Sequence, residues 1–159
     1  HRDLHKEYRR QRQMCIRDSF RIAAPEARFT ANFARLGFHH GFGLTATLPA
    51  LVGQQKALEL LYTGARIKGE EAVAIGLADR LVPLADLRSA TLDFATEIAT
   101  SAPLAVESIR ETMRGHLPQA IKAATDREKA EQDRLRTTDD WKEGVTAMNE
   151  RRTPDFSRQ

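Results

Sequence analysis

Two adjacent histidines, His39 and His40, stand in the most glycine-dense stretch of this 159-residue chain, Gly37-Phe38-His39-His40-Gly41-Phe42-Gly43. Imidazole titrates near neutral pH, so either ring has the chemistry of a general acid or base, a plain structural role in the loop being the default alternative. Glycines this closely spaced permit positive φ and close approach of backbone to a ligand, although a plain turn accounts for Gly41 and Gly43 equally well. A metal site needs several ligands in one geometry. Adjacent side chains of an extended segment point in different directions, and no Cys or further His lies nearby, His116 being remote in sequence. No metal is therefore expected. Carboxylates are missing as well: no Asp or Glu stands between Glu26 and Glu59.

The elements that must position this loop follow from hydrophobic periodicity. Phe20–Ala23 and Ala27–Thr30 alternate as short strands on either side of Ala24-Pro25. Leu44 to Val52 reads as a helix with Pro49 inside it and Gly53 at its end. Gln54 to Tyr62 is a second helix, with Ala57, Leu58, Leu61 and Tyr62 on one face and Gly64 as its stop. Lys68 to Ile75 carries Glu70 and Glu71 in its first turn, and Leu77 to Val82 reads as a strand before Pro83. Beyond Pro83 the pattern is helical throughout. Leu84–Thr100 comes first, then a helix opened by Pro103 with a stripe of Leu104, Val106, Ile109 and Met113. Leu117–Leu135 has few apolar residues (Ile121, Ala124, Leu135), so much of it should face solvent or a partner. Thr138-Asp139-Asp140 caps a last helix running from Trp141 to about Glu150, which gives Trp141 a capping or interface role.

Composition excludes several classes. No apolar run reaches the ~18 residues that a membrane span needs, and no secretory h-region is visible. Cys15 is the single cysteine, which fits a reducing, cytoplasmic setting. Residues 1–19 hold six Lys/Arg against three acids, which is the whole net charge of +3. A basic helix through Leu4, Tyr8 and Arg12 would make this head a nucleic-acid or membrane-surface arm. Such a short basic segment buries too little to order, and Met14–Ser19 looks like translated adapter sequence. The head is read as non-native or disordered, and no nucleic-acid or membrane partner is expected.

The order and spacing of Ala27-Arg28-Phe29, Leu36-Gly37, Gly41-Phe42-Gly43, Leu51-Val52-Gly53, Tyr62-Thr63-Gly64 and Gly76-Leu77-Ala78-Asp79-Arg80-Leu81-Val82-Pro83 resemble the enoyl-CoA hydratase/isomerase (crotonase) superfamily. The tail Thr138-Asp139-Asp140, Glu143-Gly144, Ala147, Glu150-Arg151-Arg152, Pro154 and Phe156 is similar to that family's C-terminal signature. The resemblance covers Phe20 to Gln159 as a C-terminal half. It implies an α/β fold: a truncated crotonase-like spiral core over residues 20–83, then a C-terminal helical trimerisation region over 84–159. The implied substrate is an acyl-CoA thioester with no further cofactor, and the implied assembly a homotrimer or a dimer of trimers.

In that family two backbone N–H groups stabilise the enolate, an oxyanion hole whose donors contribute about 3–4 kcal/mol each, while carboxylates move protons. Both donors and the first glutamate belong to segments that precede Phe20 in the family pattern, so the chain by itself is expected to be inactive and poorly folded. Counting from Phe29, the second glutamate position is Phe33, which either lines the acyl pocket or fills the core. The site at which some members carry an Asp is Gly41. The resemblance thus implies no catalytic residue here and a substrate surface of Phe33, Gly37, Phe38, His39, His40, Gly41 and Phe42. Met148 and Arg151 occupy the positions where the resemblance implies an aromatic and a basic residue against CoA adenine and phosphate. The planar guanidinium suits a phosphate, Met148 departs from the aromatic pattern, and a solvated basic helix end accounts for these positions equally well. Three readings compete: an acyl-CoA enzyme, a catalytically incompetent CoA-binding or assembly protein, and a nucleic-acid module driven by the head.

Overall fold

The computed structural model describes residues 20–158; the basic head, with Cys15, lies outside them. Strand β1 (Ile22–Ala23) pairs in parallel with β4 (Arg80–Leu81), and β2 (Arg28–Thr30) pairs antiparallel with β3 (Arg66–Lys68). A parallel pair demands a long crossover, and the chain between β1 and β4 supplies it with β2, β3 and three helices: α1 (Leu44–Val52), α2 (Gln54–Thr63) and α3 (Gly69–Ala74). Four more follow: α4 (Leu87–Ala99), α5 (Pro103–Arg114), α6 (Leu117–Leu135) and α7 (Asp139–Glu150).

Helix limits match the punctuation by Gly and Pro; three other expectations are corrected. The Leu77–Val82 strand shrinks to Arg80–Leu81, because Leu77 and Ala78 are buried in a turn where Ala78 N–H donates to the Ala72 carbonyl at 2.9 Å. The helix expected from Leu84 opens instead with one 3-10 turn, Leu84–Asp86. On α2 the inner stripe is Ala57, Leu60 and Leu61, while Tyr62 is 73% exposed. That stripe runs on at helical spacing to Gly64, whose backbone lies against Asn32 and turns Tyr62 outward.

The core lies among residues 23–78, with Leu44, Leu48, Leu60, Leu61, Ile67 and Leu77 at its centre. Helices α4 and α5 bury no residue: Leu92, Leu104, Ile109 and Met113 all stand exposed, so the apolar stripe of α5 forms but faces outward. Phe20 and Phe94 meet edge to face at 4.9 Å, and the Arg80 guanidinium lies 3.6 Å over Phe94, holding α4 to the β1–β4 pair. Among the described residues no helix is long and apolar enough to cross a membrane.

Helix α7 packs backbone against backbone on the segment that leads into the glycine-rich loop. Gly37 has φ +63, and a Cβ built on it would lie 2.5 Å from the Asp140 carbonyl oxygen. A Cβ on Gly144 would lie 2.4 Å from the Leu36 carbonyl carbon. Thr138 caps α7 by accepting from Trp141 N–H at 3.2 Å, so Trp141 sits in the capping turn. Beyond α7, Glu143 accepts two hydrogen bonds from the Arg152 guanidinium and one from Asp155 N–H. Arg152 foremost, then the Asp155 amide, holds the Glu143 carboxyl well below the usual carboxylate range, at about 2.

Gly144→Ala should destabilise the protein by about 1–3 kcal/mol, the usual cost of overpacking. An exposed mid-helix glycine replaced by alanine gains about 1 kcal/mol instead, so the sign of the shift in urea midpoint decides whether this backbone contact exists. The depressed Glu143 pKa makes its contribution fully present above the ordinary carboxylate range and lost as pH falls from 4.5 towards about 2. Urea midpoints of wild type and Glu143→Gln should differ at pH 7 and converge as pH drops through that window.

Candidate functional site

Segment 33–45 is folded by its own backbone. Phe33 offers its carbonyl to Leu36 N–H at 2.9 Å and to Phe38 N–H at 3.1 Å, and the turn Ala34–Leu36 closes on left-handed Gly37. Phe42 and Gly43 are consecutive left-handed residues, φ 65 and 73, which swing the chain into α1. For a bulky side chain that conformation costs on the order of 1–3 kcal/mol and persists only where the surroundings impose it. Phe42 is half exposed and its ring stands 6.4 Å from that of Phe33. Two of the expected surface residues therefore share one aromatic wall.

What imposes the strain comes from α6. The N-cap of α1 is Gly43, which has no side chain to satisfy the helix's free N–H groups. Glu128, 1% exposed, takes that role from a distant helix: its carboxylate accepts from Gly43 N–H at 2.8 Å, Thr45 N–H at 2.9 Å and Thr45 Oγ1 at 2.7 Å. A negative charge at a helix N-terminus also meets the favourable end of the macrodipole. One turn on, Gln132 Nε2 donates to the His39 carbonyl at 3.1 Å, and a Cβ on Gly41 would lie 2.5 Å from that same nitrogen. Ile121 packs on Gly43 from two turns before Glu128. The inner stripe of α6 is thus Ile121, Ala124, Glu128 and Gln132, with its polar members spent on the loop.

Glu128 is the residue that sequence reasoning missed. The stretch without acids from Glu26 to Glu59 turns out to hold a carboxylate after all, delivered from 85 residues beyond Gly43. The available signal was the interruption itself: Ile121, Ala124 and Leu135 keep helical phase, and Glu128 fills the gap in their row.

The histidines do not diverge as expected for an extended segment. Their rings stack at 4.2 Å with 27° between planes, because His39 Nδ1 folds back onto the His40 carbonyl at 2.8 Å. His40 Nε2 lies 2.8 Å from Thr45 Oγ1 and 3.8 Å from Glu128 Oε1. Burial foremost, and the neighbouring His39 next, push the His40 pKa below its ordinary value, against the opposing pull of Glu128. His40 is therefore neutral near pH 7 and able to accept a proton. Among the described residues no three His, Cys, Asp or Glu side chains gather as a metal cluster would.

The remaining expected residues scatter. Gly37 and Phe38 line an open depression of about 410 Å³ that none of Phe33, His39, His40 and Phe42 lines, with Arg134, Leu135, Phe156 and Arg158 around it, and Arg136 lies 5.3 Å over Phe38. Met148, 46% exposed, receives Asn32 Nδ2 on its sulfur at 4.0 Å, one residue before Phe33. Arg151 ends α7 in a left-handed conformation, φ 57, with an exposed side chain.

Comparison with known proteins puts these observations in a lineage. The enoyl-CoA hydratase/isomerase family model matches residues 13–159, starting ahead of Phe20. The short-chain-enoyl-CoA hydratase of Clostridium acetobutylicum is 33% identical over 132 residues, covering 83% of this chain and 51% of that protein. The crotonyl-CoA hydratase of Syntrophomonas wolfei is 36% identical over 143 residues, 90% of this chain and 54% of that one. The chain spans about half the length of these curated relatives. A crystal structure of an enoyl-CoA hydratase/isomerase from Pseudoalteromonas atlantica superimposes with a TM-score of 0.83 at 28% identity, over 92% of this chain and 59% of that one. With the match running through the glycine-rich loop, the core and both clamping helices, the chain belongs to the enoyl-CoA hydratase/isomerase family.

Proposed function

We propose that this chain is part of an acyl-CoA-processing enzyme that performs hydration, isomerisation or related enolate chemistry on a CoA thioester, as in fatty acid metabolism. The observation that carries the reading is the clamped loop itself. A strained Phe42 beside Phe33 offers an apolar wall for an acyl chain, and α6 holds that wall in place at the N-terminus of α1. Hydratase relatives at 33% and 36% identity support the substrate class. The chain's own part is to hold the acyl group: a phenyl ring at position 33 takes no proton, so the carboxylates and the oxyanion donors of such chemistry come from elsewhere in the enzyme. Met148 and Arg151, at the C-terminal end of α7, are assigned to the adenine and phosphate of CoA, Arg151 through its planar donor fork.

The same reading places the helical region 84–159 at the contacts of a homotrimer or a dimer of trimers. The exposed stripe Leu104, Ile109 and Met113, 80%, 62% and 68% accessible, supports it, since so much apolar surface on one helix marks an interaction face.

Calorimetry tests the acyl surface. The chain should bind crotonyl-CoA more tightly than free CoA, and Phe33→Ala with Phe42→Ala should remove about tenfold of that preference, the value of one partly buried aromatic side chain. Equal affinity for thioester and free CoA would sink the acyl assignment. Crotonyl-CoA should bind without being hydrated by this chain, and measurable hydration would show that a phenyl ring at position 33 is compatible with catalysis. Sedimentation tests the assembly: Leu104→Glu with Ile109→Glu should reduce the sedimenting species to a single chain, and a wild type that sediments as a monomer at high concentration overturns the trimer.

A further inference from the structure

Glu128, Thr45 and His40 form a chain of hydrogen bonds whose polarity can be read from chemistry alone. Glu128 Oε1 already accepts from Thr45 N–H at 2.9 Å, so this carboxylate is an acceptor throughout. The Thr45 hydroxyl, 2.7 Å from that oxygen, has one hydrogen and must spend it there. His40 Nε2 stands 2.8 Å from the same hydroxyl oxygen, which has only lone pairs left to offer. The ring nitrogen facing it therefore carries the proton. His40 Nδ1 then holds the free lone pair and makes no hydrogen bond among the described residues. His39 is fixed the opposite way: its Nδ1 meets a carbonyl oxygen and must be the protonated nitrogen of that ring, which leaves Nε2 as its acceptor.

We propose that Glu128, acting through the Thr45 hydroxyl, is a positioning residue that holds His40 as its Nε2–H tautomer and so presents its Nδ1 as a proton acceptor in the glycine-rich loop. This rests on the reading of that loop as part of an acyl-thioester site. A carboxylate that orients an imidazole through its protonated nitrogen is a general device for fixing which nitrogen is basic; here a hydroxyl is interposed. Burial of Glu128 keeps the device rigid, since removing any of its three donors would leave part of a buried charge unpaired. The groups facing His40 are His39 on its own loop, Thr45 at the start of α1, and Glu128 on α6; Glu131 faces His39 from the same helix.

The test is ¹⁵N NMR of the histidine rings in the full chain above the His40 pKa and without any ligand, His40 being assigned by the signals lost in His40→Gln. Wild type should show His40 as the Nε2–H tautomer. Thr45→Val, which keeps the shape and removes the hydroxyl, should lower the Nε2–H to Nδ1–H ratio about two- to tenfold, the value of one net hydrogen bond. Thr45→Ser should restore it. Glu128→Gln, nearly isosteric, frees the Thr45 proton and should shift the ratio the same way as Thr45→Val. A wild-type His40 found mainly as Nδ1–H overturns the proposal without any variant, as does a ratio that Thr45→Val leaves unchanged. No acyl-CoA enters the measurement, so its outcome is separate from the calorimetric test of the acyl site: a chain that fails to bind crotonyl-CoA can still show the tautomer, and one that binds can still lack it.

Discussion

A buried carboxylate that has, among the described residues, no cationic partner at hydrogen-bond distance is the contact on which the loop depends. Taking an ion of this kind out of water costs several kcal/mol unless every lone-pair direction is satisfied. Glu128 meets that cost with the N–H groups of Gly43 and Thr45 and the Thr45 hydroxyl, all at the N-terminus of one helix. Gly43 is left-handed and has no side chain to cap α1, so the cap must come from elsewhere. The same glycine allows the close approach that brings Ile121 and Glu128 onto the turn. One interaction therefore satisfies the helix, holds a strained Phe42 and fastens α6 to a loop 85 residues earlier.

A second constraint acts without charge. Gly37 and Gly144 let α7 lie directly on the backbone of the 34–37 turn, with the Asp140 and Leu36 carbonyls where side chains would otherwise be. Helices α6 and α7 thus grip the two ends of one segment, α7 near Phe33 and α6 at Gly43. Helices α4 and α5 take no part in that grip; Leu92 of α4 and the stripe Leu104, Ile109 and Met113 of α5 stand exposed.

The chemistry follows from what the grip leaves free. Phe33 and Phe42 form an apolar wall and take no proton. His40, partly buried and stacked on His39, is one of the two imidazoles that the loop contributes, and burial pushes its pKa down.

Much of this was legible in the residues themselves. Gly53, Gly64, Pro103 and Thr138 mark helix ends through local backbone preference, which needs no tertiary partner, and the glycine spacing of residues 37–43 declared a shaped loop. The short strand β3 escaped because a single apolar residue, Ile67, between two charged ones carries no period. The outward turn of Tyr62 escaped because two apolar faces of α2 compete, and the contact of Gly64 with Asn32 chooses between them. Glu128 escaped for a deeper reason. A glutamate on a charged helix reads as solvated, and its burial becomes affordable only when three donors from a distant helix start converge on it, a coincidence in space that no spacing along the chain records.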